Sequence, residues 1–217
     1  MNGWMNKIVK VDLSSGAQTT ININEDIRRK YIGGRGLGLK LYTDICSADV
    51  DALSGENAIV FSTGPLTGII QTAGRYQVTT RSPLTNAIVN SSSGGFFGAF
   101  LKKAGLDAII ITGSSDTPIF LEITEDNIEI KNAEHIWGKD THETMKILKS
   151  ESSSNISIAC IGPAGENLVP YASIMNDKDR AAGRGGVGAV LGSKNLKAIT
   201  ASGKKEIPVD DPGNLKK

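Results

Sequence analysis

Apolar and polar residues alternate from the start of the chain. Val9, Val11 and Leu13 are separated by Lys10 and Asp12, Ser14-Ser15-Gly16 breaks the pattern, and Thr19, Ile21 and Ile23 resume it. A period of two interrupted by a turn predicts a β-hairpin. Asn24 then stands where a helix cap belongs, with Glu25 and Asp26 in the first turn of a helix ending near Tyr31. Gly33-Gly34-Arg35-Gly36 opens a second helix carrying Leu37, Leu39 and Leu41. Residues 58–62 read as an apolar strand ending at Gly64-Pro65, and Tyr76, Val78 and Thr80 as another, stopped by Ser82-Pro83. A short strand follows at 87–89. Ser91-Ser92-Ser93-Gly94-Gly95 reads as a loop into a helix reaching about Lys103. Ala108 to Ile111 is a buried strand, and 118–123 with 127–131 form a hairpin turned at Asp126-Asn127. Asp140 and Glu143 make a capping box for a helix through Lys149, and a further strand begins at Ile156. After Ile207, Pro208 and Asp210-Asp211-Pro212-Gly213 read as the exit from a domain, with a new helix starting near Leu215.

The pattern repeats. Gly98-Ala99-Phe100-Leu101, Leu106, Ala108-Ile109 and Gly113 fall on Gly188-Ala189-Val190-Leu191, Leu196, Ala198-Ile199 and Gly203 at a constant offset of ninety residues. A double glycine precedes each unit (Gly94-Gly95 and Gly185-Gly186), and a Gly-Pro pair lies upstream of each (Gly64-Pro65 and Gly162-Pro163). This order predicts a duplicated domain with two glycine-rich turns, each before a helix.

Composition narrows the class. The chain has 217 residues, 39% hydrophobic and 22% charged, with a net charge of +1. A globular core is expected, and a generic nucleic-acid coat is not. No apolar run approaches the roughly 20 residues of a membrane-spanning helix. The N-terminus shows no secretory apolar segment, so a cytoplasmic location is expected. Cys46 and Cys160 cannot make a disulfide framework or a four-cysteine metal site. Cys160 reads as core, and Cys46 carries no motif. His135 and His142 lack partners at metal-ligand spacing, and Ser91 to Ser93 lack a nucleophile elbow or a nearby histidine.

Charge placement says more than its total. Residues 57–106 and 180–205 contain no Asp or Glu but hold Arg75, Arg81, Arg180, Arg184 and several lysines. Glycine lets backbone approach a ligand closely, and helix N-termini offer unpaired N–H donors. With arginine added, the combination favours phosphate. Two such turns predict one large anionic ligand or two related ones. Neither turn matches a dinucleotide fingerprint or a P-loop.

Many ordered stretches resemble the N-terminal domain of the tungsten- or molybdenum-containing aldehyde ferredoxin oxidoreductases. They include Gly33-Gly34-Arg35-Gly36-Leu37, Gly64-Pro65-Leu66-Thr67-Gly68, Gly74-Arg75-Tyr76, Ser82-Pro83-Leu84-Thr85 and Ser93-Gly94-Gly95-Phe96-Phe97-Gly98. Further on come His135-Ile136-Trp137-Gly138, Ile161 to Asn167, Met175-Asn176-Asp177, Arg180 to Ala189 and Gly192 to Ala198. The resemblance covers about residues 5–205. It implies an α+β fold in which two β-sheets with flanking helices are related by a pseudo-twofold duplication. It implies a base on which a bis-molybdopterin (tungstopterin) centre lies, with tungsten or molybdenum held by dithiolene sulfurs and magnesium joining the pterin phosphates.

By that resemblance, Arg75 matches an arginine beside a pterin and near the iron–sulfur cluster. Ser92, Ser93, Gly94 and Gly95 match the loop that meets one pterin and the magnesium through its backbone. Ala182, Gly183 and Arg184, with Arg180 before them, match the loop for the other. The magnesium contacts fall on the backbone of Ser92 and Ala182. Some family members carry asparagine at Ser92, which is harmless if the contact is a carbonyl and not if it is a side-chain amide. No catalytic residue is expected in this chain. The 4Fe–4S cluster, substrate channel and acid/base groups belong to helical domains in cis or in a separate subunit, with ferredoxin as electron acceptor. Residues 1–207 are expected to form the cofactor base and 208–217 a linker, the isolated chain being inactive. A non-catalytic phosphate- or nucleotide-binding module, or a structural subunit keeping the fold, is the alternative.

Overall fold

The computed structural model describes residues 2–215. The expected hairpin is β1 (Lys7–Asp12) and β2 (Gln18–Asn22). Helix α1 (Glu25–Tyr31) is capped by Asn24, whose Oδ1 accepts from Ile27 N at 2.8 Å, and α2 (Gly34–Thr43) follows. Strands β3 (Ile59–Thr63), β4 (Tyr76–Arg81) and β5 (Ile88–Ser93), helix α3 (Phe97–Lys103) and strand β6 (Ala108–Thr112) complete a first half. The second half runs β7 (Ile119–Ile123), β8 (Ile128–Asn132), a 3-10 turn at Glu134–Ile136, α4 (Thr141–Glu151), β9 (Ser157–Cys160) and α5 (Pro163–Glu166). It ends with β10 (Ile174–Asn176), β11 (Arg180–Ala182), α6 (Val187–Gly192) and β12 (Leu196–Ala201), and the one-turn α7 (Pro212–Leu215) lies beyond.

The duplication is complete at the level of topology. The first sheet has the order β2-β1-β6-β3-β4-β5, and the second, read from its far edge, β8-β7-β12-β9-β10-β11. The strand senses match pair by pair. β1 runs parallel to β6 as β7 does to β12, and every other neighbouring pair is antiparallel.

The central strands are buried on both faces, which is why they read as unbroken apolar runs. Ile59, Phe61, Ile109 and Ile111 of the first sheet share one core with Leu121, Ile123, Leu196 and Ile199 of the second, and Phe97, Leu101, Val187 and Leu191 of α3 and α6 fill the space between. On the outer face of the first sheet, Leu37, Leu41 and Tyr42 of α2 cover Ile8, Val60 and Ile110. On the outer face of the second, Met145 and Leu148 of α4 cover Phe120, Ile158 and Ala198.

One reading of the sequence needs correction. Ser91 to Ser93 are not a loop but the end of β5, because Ser93, Ser92 and Ser91 pair in register with Tyr76, Gln77 and Val78. Tertiary pairing overrides the poor strand propensity of serine. Strands β10 and β11, three residues each, and the short α5 gave no periodic signal at all. The segment expected as a linker, 208–217, of which 216 and 217 lie outside the described residues, starts hydrogen-bonded to the N-terminus. Gly3 N donates to Pro208 O at 2.7 Å and Asn2 Nδ2 to Asp210 Oδ1 at 2.9 Å.

Candidate functional site

The two glycine turns lie where the halves meet. In the first, Gly95 has φ +83°, a left-handed conformation that disfavours a side chain, and a Cβ there would run into the Asp177 carboxylate. In the second, Gly186 has φ +68°, and a Cβ would strike the Pro170 carbonyl and reach 3.0 Å from Pro83 Cγ. Each turn is therefore backed by the other half. The β10–β11 turn supports the first, and the start of the β4–β5 turn, at Pro83, supports the second.

Hydrogen bonds fix this exchange. Asn176 is fully buried, and its Oδ1 accepts from Tyr76 Oη (3.0 Å) and Ser93 Oγ (2.6 Å) while its Nδ2 donates to Gly94 O (2.9 Å). Asp177 Oδ2 accepts from Phe96 N (2.5 Å), Phe97 N (3.2 Å) and Asn176 Nδ2 (2.8 Å), and its Oδ1 from Ser157 Oγ (2.6 Å). On the other side Arg184 N donates to Ser91 Oγ at 3.0 Å. Burial pushes the Tyr76 hydroxyl well above its ordinary range, so it stays a neutral donor to Asn176.

A cleft of about 620 Å³ opens at this seam. Gly74, Arg75, Gly94, Gly95 and Phe96 line it from the first half, and Asp177, Asp179 and Arg180 from the second. A Cβ on Gly94 would meet no protein atom within 4 Å, so backbone here stands open to the cleft. Arg75 and Arg180 are exposed, and among the described residues neither forms a salt bridge. Arg75 Nη1 reaches only Ser92 Oγ at 3.5 Å, and Gln77 Nε2 reaches the same hydroxyl at 3.0 Å. The other amide atom, Gln77 Oε1, is buried without a partner.

Of the expected residues, the cleft gathers Arg75, Gly94, Gly95 and Arg180. Ser92 lies behind Arg75. The Ser93 side chain is buried and committed to Asn176. Ala182 is buried in the core, while Gly183 and Arg184 are exposed beside it, outside this cleft. The field free of acids in sequence is not free of them in space. Asp177 and Asp179 flank the second window by only a few residues and enter the cleft, and Asp177 takes up the N–H donors at the start of α3 that were expected to serve a ligand. Sequence reading missed this carboxylate, although Met175-Asn176-Asp177 had stood out as a motif.

The remaining candidates are structural. His135 Nε2 lies 3.3 Å from Glu151 on the surface, His142 is exposed, and no group of His, Cys, Asp and Glu among the described residues is arranged for a metal ion. Cys160 is fully buried, and burial pushes its thiol up to about 12. Cys46 Sγ accepts from Ala58 N at 3.1 Å. No helix among the described residues is long and apolar enough to cross a membrane.

Fold and seam together define a class: a tandem-duplicated α+β domain whose two glycine turns are held across a common seam beside an arginine-lined cleft. The chain belongs to the aldehyde ferredoxin oxidoreductase family, since residues 8–203 match the model described as "Aldehyde ferredoxin oxidoreductase, N-terminal domain". It is 50% identical over 217 residues to a tungsten-containing aldehyde ferredoxin oxidoreductase of Pyrococcus abyssi and 48% identical to that of Pyrococcus horikoshii. An aliphatic sulfonate oxidoreductase, WOR-like subunit, of Pyrococcus furiosus is 37% identical. The chain is covered to 99% by the first two but spans only 36% of their length. Among solved structures it resembles the active-site complex BamBC of benzoyl coenzyme A reductase, with a TM-score of 0.94 and 37% identity over 97% of this chain and 32% of the other.

Proposed function

We propose that this chain is the cofactor base of an aldehyde ferredoxin oxidoreductase-type enzyme and holds the phosphate-bearing parts of a tungsten- or molybdenum-pterin centre. The observation that carries this reading is the seam cleft, where Arg75 and Arg180 stand without acidic partners beside the open backbone of Gly94. Guanidinium groups suit phosphate because their fork of donors matches its oxygens. Three glycines in the wall and two arginines free of ion pairs suit such a group; of the two carboxylates that also line the cleft, Asp177 is already surrounded by donors.

In this reading Arg75 and Arg180 bind and orient the anion from opposite halves. Gly94 and Gly95 let it lie against backbone, and Gly183 and Arg184 do the same on the second turn. Backbone carbonyls of Ser92 and Ala182 would hold the magnesium. When bound, the metal-pterin group supplies the redox chemistry by which an aldehyde or related substrate is oxidised. The cluster, the substrate channel and the contact with ferredoxin are contributed by regions the longer relatives carry outside the matched third. In this reading residues 1–207 would constitute the base, and 208–217 the linker to those regions.

The test is charge reversal in the full-length protein. Arg75→Glu or Arg184→Glu should lower tungsten or molybdenum content about tenfold, as read by elemental mass spectrometry. Metal content and activity at wild-type levels in both variants would sink the assignment.

A further inference from the structure

Asp177 is the least expected group at the seam. A carboxylate in a cleft built for an anion repels its ligand, so its presence needs a reason. Its hydrogen bonds supply one. Oδ2 gathers Phe96 N, Phe97 N and Asn176 Nδ2, and Oδ1 takes the Ser157 hydroxyl. Four donors surround the charge, and two of them, Phe96 N and Phe97 N, define the path of the chain just after Gly94 and Gly95. Gly95 itself is glycine because the carboxylate lies where its Cβ would be. Asp177 and Lys178 hold positive φ of 46° and 74°, which aim the carboxylate across the seam. Such backbone is strained for a side-chain residue and persists where surrounding contacts dictate it.

We propose that Asp177 is a positioning residue that clamps the Gly94-Gly95 turn of the opposite half, setting the backbone and Arg75 in register for the anion. The proposal rests on the site reading above. It assigns the carboxylate a geometric role, and its charge works against ligand binding.

Those two roles come apart in one pair of variants. In Asp177→Asn the amide oxygen can take the place of Oδ2, and the amide nitrogen can donate to Ser157 Oγ, which then accepts. All four contacts survive and the charge is gone. In Asp177→Ala both geometry and charge are lost, and Phe96 N and Phe97 N lose their acceptor. The probe is magnesium pyrophosphate binding by calorimetry to the cofactor-free, full-length protein, alongside amide hydrogen exchange of residues 94–100 with 108–112 as the internal reference. Asp177→Asn should bind as tightly as wild type or up to about threefold tighter, with unchanged exchange. Asp177→Ala should bind about tenfold more weakly, with exchange at least about tenfold faster over 94–100 and unchanged over 108–112. A mere structural role would not separate Asn from Ala in the sign of the binding change.

If Asp177→Asn weakens binding as much as Ala, the charge is doing the positioning and the proposal is overturned. If wild type binds, Arg75→Glu abolishes binding and Asp177→Ala changes neither readout, the positioning role is wrong and the site stands. If wild type does not bind while Asp177→Ala still frees the turn, the site reading falls and this proposal with it. Should Asp177→Ala fail to fold, Asp177→Glu keeps the charge but displaces the carboxylate by one methylene. Faster exchange with weaker binding then supports the clamp, and wild-type behaviour overturns it.

Discussion

The two halves bury a charge at the same place in their common topology, yet with opposite sign. Asp107 stands at the entry to β6, and Lys197, ninety residues on, at the entry to β12. Asp107 pairs with Lys102 at 3.4 Å, both fully buried, and accepts from Met5 N (3.1 Å) and Asn6 N (2.7 Å), while Lys102 donates to Gly64 O at 2.5 Å. Lys197 pairs with Glu166 of α5 and donates to Lys139 O at 2.8 Å, and Glu166 accepts from Gly138 N. In both halves the tie joins the central strand to the Gly-Pro segment after β3 or β9. Burial pushes Asp107 above its ordinary value and Lys102 below, so each charge bears the cost of leaving water. Duplication has kept the place of the tie and not its chemistry. A fold of this kind requires that the segment be anchored, and either polarity serves.

The largest effect that could break this equivalence comes from removing one partner. Asp107→Ala strands the Lys102 ammonium and frees two backbone donors, so a loss of about 4 kcal/mol is expected. Glu166→Ala leaves Lys197 with the Lys139 carbonyl alone, and a loss of about 3 kcal/mol is expected, since Glu166 lies nearer solvent at 5% side-chain exposure. Urea unfolding of both variants checks the ranking. An innocuous Asp107→Ala would show that the two ties are not equivalent.

Lys194 sharpens the comparison because the first half has Ala104 in its place. Its buried ammonium donates to Gly55 O (3.2 Å) and Gly113 O (3.0 Å) with no carboxylate, and burial pulls it from the ordinary 10.5 to about 8. The unfolded chain keeps that proton up to 10.5, whereas the folded one releases it near 8. Unfolded protein therefore binds more protons in this window, and stability must rise with pH from about 8. The full penalty of about 3 kcal/mol applies below 8. Cys160 acts in the opposite sense only above its ordinary 9.0, where its buried thiol stays protonated. Stability should thus climb between pH 8 and 9, and the climb should shrink in Lys194→Met, leaving only what the depressed Lys102 adds in the same sense. A flat wild-type profile in denaturation midpoints at pH 7, 8 and 9 would contradict this.

The smallest expected difference lies between the turns. Gly186→Ala forces a Cβ onto the rigid Pro170 backbone, and Gly95→Ala onto the end of the Asp177 side chain. Losses of about 3 and about 1.5 kcal/mol are expected, each including the cost of a left-handed alanine. Thermal unfolding would report equal losses if Asp177 is as immovable as backbone.

Much of the frame was legible. Apolar runs such as Ala108 to Ile111 announced strands buried on both faces, and the Asn24 and Asp140 caps fixed two helix starts, Asp140 Oδ1 meeting Glu143 N at 2.8 Å. The ninety-residue offset revealed the duplication because small and apolar residues at the α3–β6 and α6–β12 joints face equal packing constraints. The Asp107–Lys197 equivalence stayed hidden because a polar tie constrains its partner and not its own identity. Strands β10 and β11 stayed hidden because three residues hold no period, and they exist only through pairing with β9 and each other. The windows free of acids held Arg75 and Arg180 but also Arg81 and Arg184, and only the family resemblance singled out Arg75, Arg180 and Arg184 as site candidates. Asp177 was missed because distance along the chain is a poor guide to which carboxylates enter a cleft.

The exchange at the seam has a consequence for how the molecule is assembled. A single half, alone, would carry a turn stripped of the contacts the other half gives it and a hairpin tip with nothing to back. Two copies meeting face to face satisfy both needs at once, which is the self-complementary geometry of an isologous dimer. The six residues from Gly113 to Pro118 are then a tether that raises the effective concentration of one half for the other, and the interface itself specifies the arrangement.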